Sequence, residues 1–155
     1  KYVAAYDFDF ETWHNFANLL EDPANRRDFA ARGNAILQYQ NRVLRGACRN
    51  KVIKKRIAGI EVPCLNMEYS MASDAGHMLA QDAPFAAIYN DEPAGRRYSL
   101  RSNGSNGEDV CKIAKMYGGG GHKNASGFLV PWDKLVEVEY EFRIPPNRDG
   151  ILGEK

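Results

Sequence analysis

The chain has 155 residues, of which 44% are hydrophobic and 26% charged, with a formal net charge of +1. No apolar run approaches the roughly 20 residues that span a bilayer, so composition excludes a helical membrane protein, and it is too hydrophobic for a disordered one. The length fits one domain, or one small domain plus an appended element, with a core of useful size. The sequence opens at Lys1 without a methionine and runs directly into patterned sequence, so it reads as a fragment whose N-terminal part is absent.

Charge is distributed unevenly. Residues 1–25 hold Lys1 against five carboxylates, residues 26–56 hold ten Lys or Arg against Asp28 alone, and residues 57–155 hold ten against fourteen acids. Phe10, Trp13, Phe16, Ala17 and Leu20 recur at helical spacing, with Asp9 placed to cap the N-terminus of a short helix. After Pro23, an apolar stripe through Phe29, Ile36, Leu37, Val43, Leu44, Ala47, Cys48 and Val52 predicts a long amphipathic helix reaching about Lys55. Its other face carries most of the basic charge. That face reads either as a solvated surface or as one that meets nucleic-acid phosphates.

From Arg56 the pattern shifts to β-branched residues and turns. Ile57 to Val62 predicts a strand stopped by Pro63, Cys64 to Met67 a second short strand, Ser70 to Ala80 an amphipathic helix and Phe85 to Tyr89 a buried strand. Asp91 to Gly95 is a hairpin turn. Arg97 to Arg101 returns as a strand with Tyr98 and Leu100 on one face and Ser99 and Arg101 on the other. Asp109 caps a helix through Val110, Ile113, Ala114 and Tyr117 that stops at the glycine run; Phe128 to Val130 is another strand, and Val136 to Ile144 a last, charged edge strand. Strands alternating with helices predict an α/β (α+β) domain over 57–155: a compact mixed-sheet domain with flanking helices, preceded by a basic connector helix within 1–56.

Cys48, Cys64 and Cys111 form no C-x-x-C pair, which fits reduced thiols in a cytoplasmic protein, and His14, His77 and His122 are scattered, so neither residue type builds a local metal cage. The most informative segment is Gly118-Gly119-Gly120-Gly121-His122-Lys123-Asn124-Ala125-Ser126-Gly127-Phe128. Consecutive glycines admit positive φ and close approach to main-chain N–H groups. If His122 opens a helical turn, those groups form an anion nest, with His122 and Lys123 adding side-chain donors; the other reading is a helix stop followed by a loop. Arg101, flanked by Ser99 and Ser102, is suited to bidentate phosphate binding if it lies nearby, and otherwise is an exposed strand-end arginine. Tyr89, Tyr98 and Trp132 are either core residues or candidates to stack on a base.

Gly119-Gly120-Gly121-His122 followed by Ala125, Gly127 and Phe128, and preceded by Tyr98-Ser99-Leu100-Arg101-Ser102 and Asp109-Val110 with Ile113-Ala114, resembles the C-terminal DHH-associated domain of the DHH phosphoesterase family. The resemblance covers about Ile57 to Val130. The family includes RecJ-type exonucleases, oligoribonucleases, phosphoadenosine phosphatases and cyclic-dinucleotide phosphodiesterases. A related glycine-rich domain closes alanyl-tRNA synthetases. The resemblance implies a two-manganese centre in an N-terminal DHH domain absent from this sequence, with the present domain clamping a short oligonucleotide or nucleotide phosphate. On that reading Arg101, Ser99, Ser102, Gly119, Gly120, Gly121, His122 and Lys123 contact the substrate. Ser126 stands where the family commonly has a second Ala.

No Asp-His-His triplet occurs, and Asp7-Phe8-Asp9 falls at a helix start where capping accounts for it, so the chain by itself is expected to bind no metal and to be inactive. The expected partners are therefore the DHH domain and the nucleotide, with no membrane; a homodimer is compatible with this reading. The competing expectation is a stand-alone nucleic-acid-binding module of the synthetase-tail kind without hydrolytic activity, and a third is a scaffolding domain that keeps the glycine loop for its fold.

Overall fold

The computed structural model describes residues 9–104 and 106–143. Its contacts divide the chain into two units, residues 1–46 and 47–155. In the first unit, α1 (Phe10–Leu19) starts as predicted: the Asp9 carboxylate accepts from the Thr12 N–H at 2.8 Å, satisfying one of the four donors that a helix start leaves unpaired. Helix α2 (Pro23–Asn50) opens on Pro23, with Asp22 accepting from the Ala24 N–H at 2.7 Å. Phe16 meets Phe29 edge-on at 4.6 Å, fixing α1 against the start of α2. No described helix is long and apolar enough to cross a membrane.

Helix α2 ends at Asn50, five residues short of the expected end at Lys55, because β1 (Ile53–Ile57) has already begun. The chain reverses through Ala58-Gly59, both at positive φ (52° and 79°) as a two-residue type I′ hairpin requires, into β2 (Ile60–Asn66). Pro63 therefore lies inside a strand and does not stop one; of the strands expected at 57–62 and 64–67, the first spans the hairpin turn, and Ile60 to Asn66 form a single strand across both. The ladder from β2 to β3 (Ala86–Glu92) is described only from Cys64 onward, so the missing Pro63 N–H falls outside it. Between them lies α3 (Tyr69–Leu79), which buries Ala72, Ala75 and Gly76.

Strand β4 (Gly95–Arg101) pairs antiparallel with β3 and with β6 (Ala125–Pro131), and β6 pairs with the short β5 (Gly120–His122). The result is a six-stranded mixed sheet of order β1-β2-β3-β4-β6-β5, in agreement with the expected α/β class. Helix α4 (Val110–Met116) is capped by Asp109, which accepts from Cys111 and Lys112 N–H.

The last described element is α5 (Leu135–Glu141), where a strand was expected over 136–144; Ile144 lies outside the described residues. Val136, Val138, Tyr140 and Phe142 alternate with glutamates, which mimics a strand period. Helical spacing instead turns Leu135, Val138 and Phe142 to the core and leaves Val136 and Tyr140 exposed.

The sheet faces differ. One buries Cys64, Ala87, Tyr98, Leu100, Phe128 and Val130 beneath Val110, Ile113 and Ala114 of α4, with Phe142. Tyr98, Phe128, Tyr117 and Phe142 form its aromatic centre, with Tyr98 and Phe128 stacked at 5.0 Å and Tyr117 and Phe128 at 4.7 Å. The other face meets α3 along β3 and β4.

Candidate anion-binding groove

Side chains alternate along a strand, so burial of Tyr98 and Leu100 turns Arg97, Ser99 and Arg101 to the opposite face. Residues directly paired across antiparallel strands share a face. The register therefore lays out two rows, Ser99–Gly127–Gly120 and Arg101–Ala125–His122, each crossing β4, β6 and β5. A groove of about 300 Å³ opens here, lined by Tyr69 of α3, Arg97, Ser99, Arg101, Gly120, Gly127 and their neighbours. Its lining holds two guanidinium groups and no carboxylate.

Arg101 is held before any ligand arrives. Its Nε and Nη2 each donate to Ser73 Oγ at 3.2 Å, and Nη1 donates to the Leu100 carbonyl at 2.9 Å. Three of its five N–H donors are thus used, leaving one on each terminal nitrogen, the pair that grips an oxyanion bidentately. The stem lies against Gly76: a Cβ built there would come 2.5 Å from Arg101 Cγ and 2.9 Å from Arg101 Cβ. The glycine in α3 is what admits Arg101. Arg97 is engaged as well: its Nε donates to Glu92 at 2.6 Å. That hydrogen bond raises the Arg97 pKa and lowers that of Glu92.

The glycine run separates into two kinds of residue. Gly118, at φ 77°, follows the last residues of α4; its N–H donates to the Lys115 carbonyl at 3.2 Å and that of Gly119 to Ala114 at 2.9 Å, the paired bonds of a Schellman stop. A Cβ on Gly119 would lie 2.1 Å from the Gly127 carbonyl oxygen, and one on Gly121, at φ 142°, would lie 2.6 Å from that of Ala125. These three glycines answer to the protein's own backbone. Gly120 has no such constraint: a Cβ there meets nothing within 4 Å among the described residues.

His122 does not open a helical turn, the condition on which the nest reading of the glycine run depended. It ends β5, and Lys123-Asn124 turns the chain into β6; two of the amides assigned to the nest are consumed in closing α4. His122 is exposed at the end of the row that begins with Arg101. Its carbonyl accepts from Ser126 Oγ at 2.7 Å. Lys123 has an exposed side chain, and its carbonyl accepts the Val110 N–H at 2.9 Å.

Ser102 is buried, with its hydroxyl 3.3 Å from Asn124 Oδ1 and its N–H donating to the Asn124 carbonyl at 3.2 Å. It fixes the β5–β6 turn and does not line the groove; Ser99 lines it. Of the aromatic candidates, Tyr98 is core, the Tyr89 ring carries Arg96 at 4.6 Å, and Trp132 donates to the Pro93 carbonyl at 3.1 Å. Tyr69 was missed. It precedes Ala72 and Gly76 by three and seven residues, a helical spacing that puts it on their side of α3, and that was the available signal.

Sequence reading also missed the polar cluster beneath the sheet. Lys55, 7% exposed, donates to Glu139 and, at 3.2 Å, to the Tyr98 hydroxyl; Tyr98 donates to Glu139, and Arg96 reaches it at 3.3 Å. Burial and the hydrogen bond to Glu139 push the Tyr98 hydroxyl strongly upward, and burial pushes the Cys64 thiol up to about 12. Among the described residues, no group of three or more His, Cys, Asp or Glu converges to hold a metal ion; Asp9 caps α1 and Asp7 lies outside the described residues.

No family model matches the chain. An uncharacterized protein, R106, of Acanthamoeba polyphaga mimivirus is 32% identical over 180 residues, covering 99% of this chain and 39% of its own length. The chain thus spans about two fifths of that relative. Among solved structures, a pGpG-specific phosphodiesterase, PggH, from Vibrio cholerae superposes over 90% of this chain and 52% of its own at TM-score 0.55 and 10% identity. An uncharacterized Helicobacter pylori G27 protein covers 57% of this chain and 27% of its own at TM-score 0.42 and 23% identity. The likeness to the phosphodiesterase is one of fold.

Proposed function

We propose that residues 47–155 bind a phosphate group of a short oligonucleotide or nucleotide in the groove beside α3. On this reading the chain is the substrate-binding part of a manganese-dependent phosphoesterase of the DHH kind. On this reading the manganese ions are held by the N-terminal DHH domain, and the present residues bind the substrate. Arg101 is the principal anchor and Arg97 the second cation. Ser99 and the open Gly120 form the floor, and His122, with Lys123 beyond it, supplies further donors at the outer end of the Arg101 row. The observation that carries the reading is that one groove is lined by a pre-held guanidinium and by Gly120, where an added Cβ would meet nothing within 4 Å among the described residues. The fold likeness to a pGpG-specific phosphodiesterase supports the choice of probe.

Calorimetric titration of the chain with a linear dinucleotide such as pGpG tests the proposal. Arg101→Ala should weaken binding by about 1.5–3 kcal/mol, the range for hydrogen bonds to charged groups. Gly120→Val should weaken it too, without loss of fold stability, because the added side chain enters space that only a ligand needs. If both variants bind as the parent chain does, the groove is not the site.

A further inference from the structure

Tyr69 is 62% exposed, and it alone among the large exposed hydrophobic residues lines the groove. Leaving an aromatic ring in water forgoes the burial that normally stabilises it. Among the described residues no other ring stacks on Tyr69 and no hydrogen bond engages its hydroxyl. Its backbone is nonetheless firmly set: Glu68 accepts from the Ser70 N–H at 2.8 Å, Met67 N–H donates to the Tyr89 carbonyl at 3.0 Å, and Met71 N–H to the Glu68 carbonyl at 3.0 Å. The position is fixed while one side of the ring stays open. Arg97 and Arg101, both in the same lining, stand four residues apart on β4, about 13 Å of strand. That span is longer than a lone phosphate requires.

We infer that Tyr69 is a stacking platform for a nucleobase, so that the groove takes an unpaired nucleotide of a short single strand, with its base on the Tyr69 ring and its phosphate on Arg101. The inference rests on the phosphate reading above and extends it from an anion to a nucleotide. Every base presents a π-face, so a stacking platform selects unstacked nucleotides without selecting sequence. A duplex, whose bases are already stacked, gains nothing from it.

The test is a titration of the 155-residue chain with two probes, the dinucleotide pApA and ribose 5-phosphate, followed by amide shifts of Ser99 and Gly120. A dinucleotide carrying 2-aminopurine reports stacking directly by fluorescence quenching. Tyr69→Ala should weaken pApA binding about 5- to 150-fold and abolish the quenching, while ribose 5-phosphate binds unchanged. Tyr69→Phe should retain both. Arg101→Ala should weaken both ligands. If Tyr69→Ala leaves pApA unaffected while Arg101→Ala weakens it, the platform is wrong and the phosphate site stands. If Arg101→Ala leaves both ligands unaffected, or the parent chain binds neither, the phosphate site is wrong and the platform falls with it. Equal loss of both ligands on Tyr69→Ala would also overturn the platform, since it would mark a general disturbance of the groove.

Discussion

Replacing Gly76 by alanine sets two effects of known size against each other. In the middle of a helix, Gly→Ala is ordinarily favourable by about 1 kcal/mol, because glycine loses the most backbone freedom on folding. At Gly76, however, the new methyl group would fall 2.5 Å from Arg101 Cγ and 2.9 Å from Arg101 Cβ. Real carbon contacts do not approach so closely, and Arg101 Cβ is fixed by β4, so the stem cannot simply swing aside. Either α3 moves off the sheet or the Arg101 side chain leaves its hydrogen bonds to Ser73. Overpacking of this kind costs about 1–3 kcal/mol. Net destabilisation of up to about 2 kcal/mol is therefore expected, together with weaker dinucleotide binding. Gly46 in α2 is the matched control. A Cβ there meets nothing within 4 Å among the described residues, so Gly46→Ala should stabilise by about 1 kcal/mol and leave binding alone. Urea denaturation and calorimetric titration of the two variants settle the matter. A Gly76→Ala protein as stable as Gly46→Ala, with parent-like affinity, would refute the claim that Gly76 exists to seat Arg101. So would a double mutant with Arg101→Ala, which removes the nearer contact, that recovers no stability relative to the two single changes.

Two further expectations concern the fold. Burial pushes the Glu139 carboxyl up, but the hydrogen bonds from Lys55 and Tyr98 and the Lys55 charge outweigh it and hold the pKa below the ordinary 4.5. A carboxylate depressed on folding stabilises above its unfolded pKa, and that contribution is lost as pH falls through the folded value. Glu139→Gln should therefore cost about 1–3 kcal/mol at pH 7 in urea denaturation, with the difference from the parent shrinking below pH 4.5; a pH-independent difference would refute the assignment. At Ala58, whose φ of 52° is uncommon for a residue with a side chain, Ala58→Asn should hold or raise the melting temperature. Ala58→Val should lower stability by about 1–3 kcal/mol, and a Val variant as stable as Asn would show that the turn is not strained.

What could be read in the sequence was whatever depended on neighbours along the chain. Asp9 and Asp109 mark helix starts because a cap acts within three residues, and the β4 alternation follows from strand geometry alone. The misreadings arose where distant residues decide. The 136–142 segment satisfies both a period of two and a helical period, and only the position of Val138 and Phe142 against the core selects the helix. Lys55 looked like one more charge on a basic helix. It is buried because Glu139 and Tyr98, 84 and 43 residues away, provide its partners. Likewise Arg101 could be nominated, but Ser73 and Gly76, the residues that aim it, could not.

The two faces of β4 explain why that aim can be rigid. Tyr98 and Leu100 are fully buried, and the Tyr98 hydroxyl is engaged by Lys55 and Glu139, so the strand cannot rotate or slip without breaking a packed core and a charged cluster together. A one-residue slip would exchange every side chain between faces, sending Arg97, Ser99 and Arg101 into the core. The polar cluster on one side of the sheet thus fixes the register that presents the guanidinium groups on the other. Conformational freedom lost in folding need not be lost again on binding, and this preorganisation favours the proposed anion site, whose groove lining carries two guanidinium groups and the Ser99 hydroxyl. Gly120 then becomes the informative residue of the glycine run. The side chains forbidden at Gly119 and Gly121 are forbidden by this chain's own carbonyl oxygens, whereas at Gly120 the fold leaves the space open to whatever enters from solution.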